Sequence, residues 1–161
     1  MTGSVSRELV EAFYRVYTIH DAARVAEFLA DEVTWIISGP IDVLPYCGVR
    51  HGKAAVIELV QRDLPALFIP ISFEPGAMLI DGERVATLFR LTARRRDDGR
   101  VISYRLAHFL RFRDGKIIEN VSIIDSFNAV EQVIGHSLDV HEDHAGHHNG
   151  APAEVDDVVA I

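Results

Sequence analysis

The chain has 161 residues, 48% of them hydrophobic, with 24 acidic against 16 basic side chains and a formal charge of -8. That length supports one well-buried core and is too short for two ordinary domains, while the acidic balance argues against a nucleic-acid surface. Cys47 is the single cysteine, which excludes an internal disulfide framework and a multi-cysteine zinc site; with neither an apolar signal core at the start nor a run of roughly 18 apolar residues, the expectation is a soluble cytoplasmic protein without a membrane partner.

From Ser6 to Tyr17 the residues Leu9, Val10, Phe13, Val16 and Tyr17 recur at three- and four-residue spacing, with Arg7, Glu8, Glu11 and Arg15 largely opposite. This predicts an amphipathic helix. Asp21 suits the N-cap of a second helix that ends near Asp31, and Val33 to Ser38 is β-branched and aromatic, as a first strand would be. Gly39 to Gly48 holds two prolines and two glycines, so it reads as a loop, and its apolar residues suit a segment folded over something. Val56, Ile57, Leu59 and Val60 mark a third helix from Lys53, ended by Pro65.

Three Asp-Gly pairs, Asp81-Gly82, Asp98-Gly99 and Asp114-Gly115, divide the chain from Ile71 to Asp125 into segments rich in β-formers. That is the pattern of a four-strand antiparallel meander, because glycine reaches positive φ and aspartate bonds the turn backbone. Strands of roughly 10 residues at about 3.3 Å each are long enough to curl over a helical layer. Pro70 and Pro75 place the first of them at an edge. The Arg94-Arg95-Arg96 run beside Asp97 and Asp98 reads as a solvated hairpin tip. After Asp125, Phe127, Val130, Val133 and Ile134 fit a short helix capped by Asp125 or Ser126 and stopped by Gly135. The division is therefore one domain over residues 1–135 and a largely flexible, His-rich tail over 136–161. In that tail His136, His141, His144, His147 and His148 suit adventitious metal capture, and no dedicated metal site is assigned.

Phe28-Leu29-Ala30-Asp31 before the first strand, Gly48-Val49-Arg50-His51-Gly52 before the third helix and Arg113-Asp114-Gly115-Lys116-Ile117 before the last strand resemble the NTF2-like superfamily. The resemblance covers roughly Ser6 to Gly135 and is nearest to its SnoaL-like and limonene-epoxide-hydrolase-like groups. It implies an α+β cone, a curved antiparallel sheet wrapped around N-terminal helices. In relatives resembling ketosteroid isomerase, a helix-one tyrosine, a base aspartate and a protonated acid fall at Phe13, Ile37 and His108, so the resemblance does not bring that mechanism with it. The SnoaL-type acid/base aspartate falls near Ser122, with a histidine at His108. In the epoxide-hydrolase-like group, Asp114 to Ile117 followed by Asp125 matches the spacing of the water-activating aspartate; its Arg-x-Asp partner has no match between Phe89 and Arg94.

On the third meander strand Ile102, Tyr104, Leu106, His108, Leu110 and Phe112 share one face, which puts Tyr104 and His108 inside the curl. If Phe112 faces Ile117, Asp125 lies across from Tyr104 and Val121 from His108. A three-residue loop with a bulge at Gly115 instead sets Asn120 across from His108 and turns Asp125 outward. The first register is favoured, since it makes Ile117, Val121, Ile123 and Phe127 an apolar inner face, with Glu119 as its exception.

Asp125, His108 and Tyr104 are accordingly the expected catalytic residues. Asp125 serves as base and the other two as hydrogen-bonding partners. Trp35, Ile37, Tyr46, Tyr14, Tyr17, Leu106, Asn120 and Ser122 are the expected ligand-binding residues, with Tyr46 and Cys47 in a loop over the mouth. The function expected is cofactor-free acid/base chemistry (hydration, hydrolysis or isomerisation) on a small apolar molecule. The alternative is a non-catalytic ligand-binding or dimerisation module. In either case a homodimer is expected through the outer sheet face, where Leu88, Ala107 and Phe109 stand.

Overall fold

In the computed structural model, which describes residues 4–138, the first helix α1 (Arg7–Tyr17) starts where Ser6 accepts a hydrogen bond from the Leu9 amide at 3.1 Å. Its buried side is the expected one, with Val10, Phe13, Tyr14, Val16 and Tyr17 turned to the core. Asp21 caps α2 (Ala22–Ala26) by accepting from the Arg24 amide at 3.1 Å. This helix is shorter than the apolar spacing suggests. The chain extends already at Leu29, which pairs with Ile117 and begins β1 (Leu29–Ser38) ahead of the expected Val33.

After the loop, a strand absent from the sequence reading, β2 (Gly48–His51), pairs antiparallel with β1. The third helix then runs as α3 (Lys53–Glu58), a π-helical turn (Leu59–Asp63) and α4 (Leu64–Leu67). Pro65, the second residue of α4, follows the π-helical turn instead of ending the helix. In a first turn proline's missing N–H has no bond to lose.

The meander follows as β3 (Phe68–Asp81), β4 (Arg84–Arg95), β5 (Val101–Arg113) and β6 (Lys116–Ile124). Among the described residues the sheet has the order β2-β1-β6-β5-β4-β3, so β3 with its two prolines is an edge strand, as their missing donors require. β1 joins β6 in parallel, and the meander pairs are antiparallel. Helices on one side of a curved, unclosed sheet make the α+β cone. Phe13 is its centre of packing: fully buried, it lies 5.1 Å from the Tyr14 ring, 5.3 Å from Tyr17, 5.8 Å from Phe28 and 6.3 Å from Trp35.

The last hairpin turns on Asp114 (φ 50°) and Gly115 (φ 74°), both left-handed, as a two-residue turn between twisted strands demands. Phe112 therefore faces Ile117, as expected. Immediately afterwards Arg111 faces Glu119, so Ile118 is an extra residue and β6 carries a β-bulge. Beyond it His108 faces Ser122 and Leu106 faces Ile124. The expected inner face is corrected accordingly: Asn120, Ser122 and Ile124 are buried, while Ile123 is exposed and Glu119 sits outside, 3.2 Å from Arg111.

The final helix α5 (Ser126–Ile134) ends at Gly135, left-handed at φ 85°. Part of the arginine run is held here and not solvated. Arg95, whose side chain is 14% exposed, bonds the Val133 carbonyl, and Arg100 donates to the same oxygen at 2.8 Å. Two cations on the last carbonyls of a helix oppose the negative end of its dipole. Of the tail, only residues 136–138 are described; His141, His144, His147 and His148 lie outside the described residues.

Phe13→Ala removes the ring on which α1, β1 and the Phe28 turn converge. It should lower unfolding stability by about 3–5 kcal/mol, read as a shift of the urea midpoint with the slope unchanged.

Candidate functional site

The inner faces of β1, β3, β4, β5 and β6 and the C-terminal end of α1 enclose a cavity of about 70 Å³. That is room for one small molecule. Its polar lining residues are Tyr17, Thr18, His20, Tyr46, Tyr104, His108 and Ser122. Ile37, Phe68, Phe73, Leu91, Leu106 and Ile124 supply much of the apolar remainder. Among the described residues no Asp, Glu, Lys or Arg lines it.

Alternation along β5 buries both Tyr104 and His108, as expected. The hydroxyl of Tyr14, on α1, lies 3.1 Å from His108 Nδ1 and 2.7 Å from Thr87 Oγ1. With Thr87 donating to Tyr14 and Tyr14 to Nδ1, His108 carries its proton on Nε2, which has no hydrogen-bond partner among the described residues; in the reverse order Nε2 is a free acceptor and the Thr87 hydrogen is the one left over. Burial pushes the imidazole down from 6.5 to about 4, so it is neutral at physiological pH.

Tyr46 brings the loop into the site. Its hydroxyl lies 2.8 Å from that of Tyr104, and its ring meets Phe68 edge-on at 5.6 Å. Arg50 fixes this segment by donating to the Tyr46 carbonyl at 2.9 Å while standing 3.5 Å from Asp63. Burial raises the phenols of Tyr14, Tyr17 and Tyr46, and brings Tyr104 to about 12. The nearby Cys47 thiol is raised to about 11 for the same reason, so it is not a thiolate nucleophile.

Asp125 is the correction. The bulge at Ile118 places it next to Arg105 instead of across from Tyr104. Its amide donates to the Arg105 carbonyl at 2.9 Å, and its carboxylate, 40% exposed, stands 4.0 Å from the Arg105 guanidinium. It faces away from the cavity and cannot reach a ligand there. Of the expected ligand-binding residues, Ile37, Tyr46, Tyr17, Leu106 and Ser122 line the cavity. Trp35, Tyr14 and Asn120 are buried behind that lining. The sequence reading missed Thr87 and His20. Thr87 was accessible through its alternation with Val85 and Phe89, whereas His20 sits in a left-handed turn (φ 57°) that has no periodic signal. Among the described residues no group of three or more His, Cys, Asp or Glu could hold a metal ion, and no helix is long and apolar enough to cross a membrane.

A model of the SnoaL-like domain matches residues 10–120. No curated protein matches the chain. Among solved structures, a candidate isomerase from Rhodopseudomonas palustris is 27% identical, covers 80% of this chain and 94% of its own, and superposes with a TM-score of 0.71. An NTF2-like protein from Burkholderia xenovorans is 22% identical, with coverage of 78% and 93% and a TM-score of 0.67. A protein of ketosteroid isomerase-like fold from Catenulispora acidiphila, in complex with trimethylamine, is 14% identical, with coverage of 82% and 95% and a TM-score of 0.66. The latter two likenesses concern the fold alone.

Because His108 is held neutral by burial, it binds a proton in the unfolded chain at a higher pH than in the folded one. Its contribution to stability is therefore fully present above pH 6.5 and is lost as pH falls from 6.5 towards about 4. The loss should be on the order of 3 kcal/mol. Urea unfolding measured across that window should show the slope, and His108→Gln should flatten it.

Proposed function

Since the chain belongs to the SnoaL-like domain family, we propose that it is a cofactor-independent enzyme that takes one small, uncharged, largely apolar molecule into the cone and acts on it by general acid/base chemistry. The observation that carries this reading is the His108 triad: a neutral imidazole oriented through Tyr14 and Thr87, set in an uncharged wall. In the tautomer in which Tyr14 donates to Nδ1, the His108 Nε2–H and the Tyr104 hydroxyl are donors suited to a substrate oxygen. Fixed neutral donors in an uncharged, largely apolar cavity favour charge that develops on such an oxygen and need no reorganisation when it does. His20 supplies the proton acceptor. Its burial lowers its pKa from 6.5, leaving it unprotonated at neutral pH at the edge of the same cavity. Proton transfer within the substrate, or addition of water to it, are the reactions this set serves. The cytoplasm is the compartment we propose for it.

The second reading, a non-catalytic ligand-binding module, is favoured by one observation: among the described residues the lining offers no carboxylate as a strong base. The two readings part experimentally. Trp35 is the only tryptophan, and its ring lies 5.7 Å from that of the cavity residue Tyr17. Its fluorescence can therefore screen neutral oxygenated ring compounds for binding, and hits can be followed for turnover. Under the enzyme reading His108→Phe should lower turnover by about 100-fold or more and Tyr104→Phe by about 10-fold, while Asp125→Asn behaves as wild type. Binding without turnover in wild type would establish the module. Full activity in His108→Phe would remove the triad from the mechanism.

We further propose a homodimer through the outer sheet face, where Leu88, Phe109 and Ile123 are all at least 42% exposed on neighbouring strands. An apolar stripe of this kind suits a second copy of the same face. Sedimentation at micromolar concentration should give a dimer, and Phe109→Glu should give a folded monomer. A monomeric wild type would refute the assignment.

A further inference from the structure

Two fully buried polar side-chain atoms lack any hydrogen-bond partner among the described residues, the Trp35 indole Nε1 and the Asn120 Oδ1. They are of opposite kind, since an indole N–H can only donate and an amide oxygen can only accept. They are also neighbours in the sheet. Trp35 on β1 is paired directly with Asn120 on β6, and both side chains point to the inner face. The orientation of the Asn120 amide is fixed by its nitrogen, which donates to Ser122 Oγ at 2.8 Å and towards the Ile36 carbonyl at 3.4 Å. A turned amide would set its oxygen against that carbonyl, so Oδ1 stays the free acceptor.

Leaving a buried donor and a buried acceptor both unsatisfied costs about 1–3 kcal/mol each. One species cancels both costs: an oxygen that accepts from the indole and gives a proton to the amide. A bare carbonyl or ether cannot do so, having no proton to give, and a cation would meet the indole hydrogen. We infer that Trp35 and Asn120 form a hydroxyl site behind the cavity, filled by a single water molecule or by the hydroxyl group of a bound ligand. The next inward-facing pair along the same strands, Ile37 and Ser122, belongs to the cavity lining. Ser122 stands across the ladder from His108. The site is thus one hydrogen bond, through Asn120 and Ser122, from the wall beside the imidazole. In this position it would hold the oxygen that an addition of water consumes, or anchor the far end of a hydroxylated substrate. That role rests on the enzyme reading above, but the site itself does not.

A crystal structure of the full chain that resolves ordered water tests it directly. The expected result is an oxygen within about 3.2 Å of both atoms. Isolated density identifies water, and density continuous with an organic molecule identifies a ligand hydroxyl; either supports the site. The two atoms packed against apolar groups with no oxygen between them, or turned to protein partners, would overturn it. In solution, protein labelled with 15N-tryptophan gives a single indole resonance, since Trp35 is alone. A magnetisation-transfer peak to water is expected at that resonance and should be lost in Asn120→Leu. A peak that persists in a folded Asn120→Leu would remove Asn120 from the site, and if that variant does not fold the crystal result still decides. Water found here in a protein without turnover would sustain the site while ending the enzyme reading.

Discussion

The extra residue in β6 governs what the cone contains. With Asp114 and Gly115 closing the hairpin, an unbroken ladder would carry Val121 and Ile123 inward and leave Asn120 and Ser122 in water. Ile118 absorbs one position, and parity reverses for the rest of the strand. Three things depend on that reversal. Ser122 comes opposite His108, Asn120 comes beside Trp35, and Asp125 is carried out to Arg105. The same slip extends the apolar outer face to β6, because it is what exposes Ile123 opposite Ala107. Cavity chemistry and outer-face chemistry are thus two results of one local irregularity.

Inside, the cone avoids formal charge and relies on paired neutral groups. A buried carboxylate or ammonium would need a partner or would neutralise itself through its pKa. Here the work is given to hydroxyls and an imidazole, each tied to another: Thr87 to Tyr14 to His108, Tyr46 to Tyr104, Asn120 to Ser122. Such ties hold the groups in single orientations, which a loose set of polar side chains in an aromatic pocket would not keep. The cationic side chains are used elsewhere. Arg95 and Arg100 cap the end of α5, and Arg50 holds the loop that carries Tyr46.

Much of this was legible in the chain. The helical spacing from Leu9 to Tyr17 gave α1, and strict alternation from Ile102 to Phe112 gave the buried face of β5 with Tyr104 and His108 on it. Both signals are local, so a few residues suffice to carry them. The prolines at 70 and 75 marked an edge because a missing donor is a chemical fact before it is a structural one. What was hidden depends on contacts distant in sequence. Ile117 and Ile118 are the same residue type, so nothing in their identity says which is paired; the bulge is decided where β6 meets β1 on one side and β5 on the other. β2 is a short segment around Val49 whose only strand partner among the described residues is β1. The placement of Asp125 failed for that reason: a spacing can be matched in sequence and still be rotated by one residue in the sheet.

The hydrogen bond between Tyr46 and Tyr104 joins a loop with two prolines to the most regular strand of the sheet. A phenol has one proton to give. Once Tyr104 donates to a ligand, it can meet Tyr46 only as an acceptor, and a ligand that crowds the pair must displace the loop's hydroxyl altogether. With Tyr104 donating to a ligand, the Tyr46 proton is committed to Tyr104, and the direction of this one bond ties the loop from residue 39 to 48 to the proton order of the cavity wall.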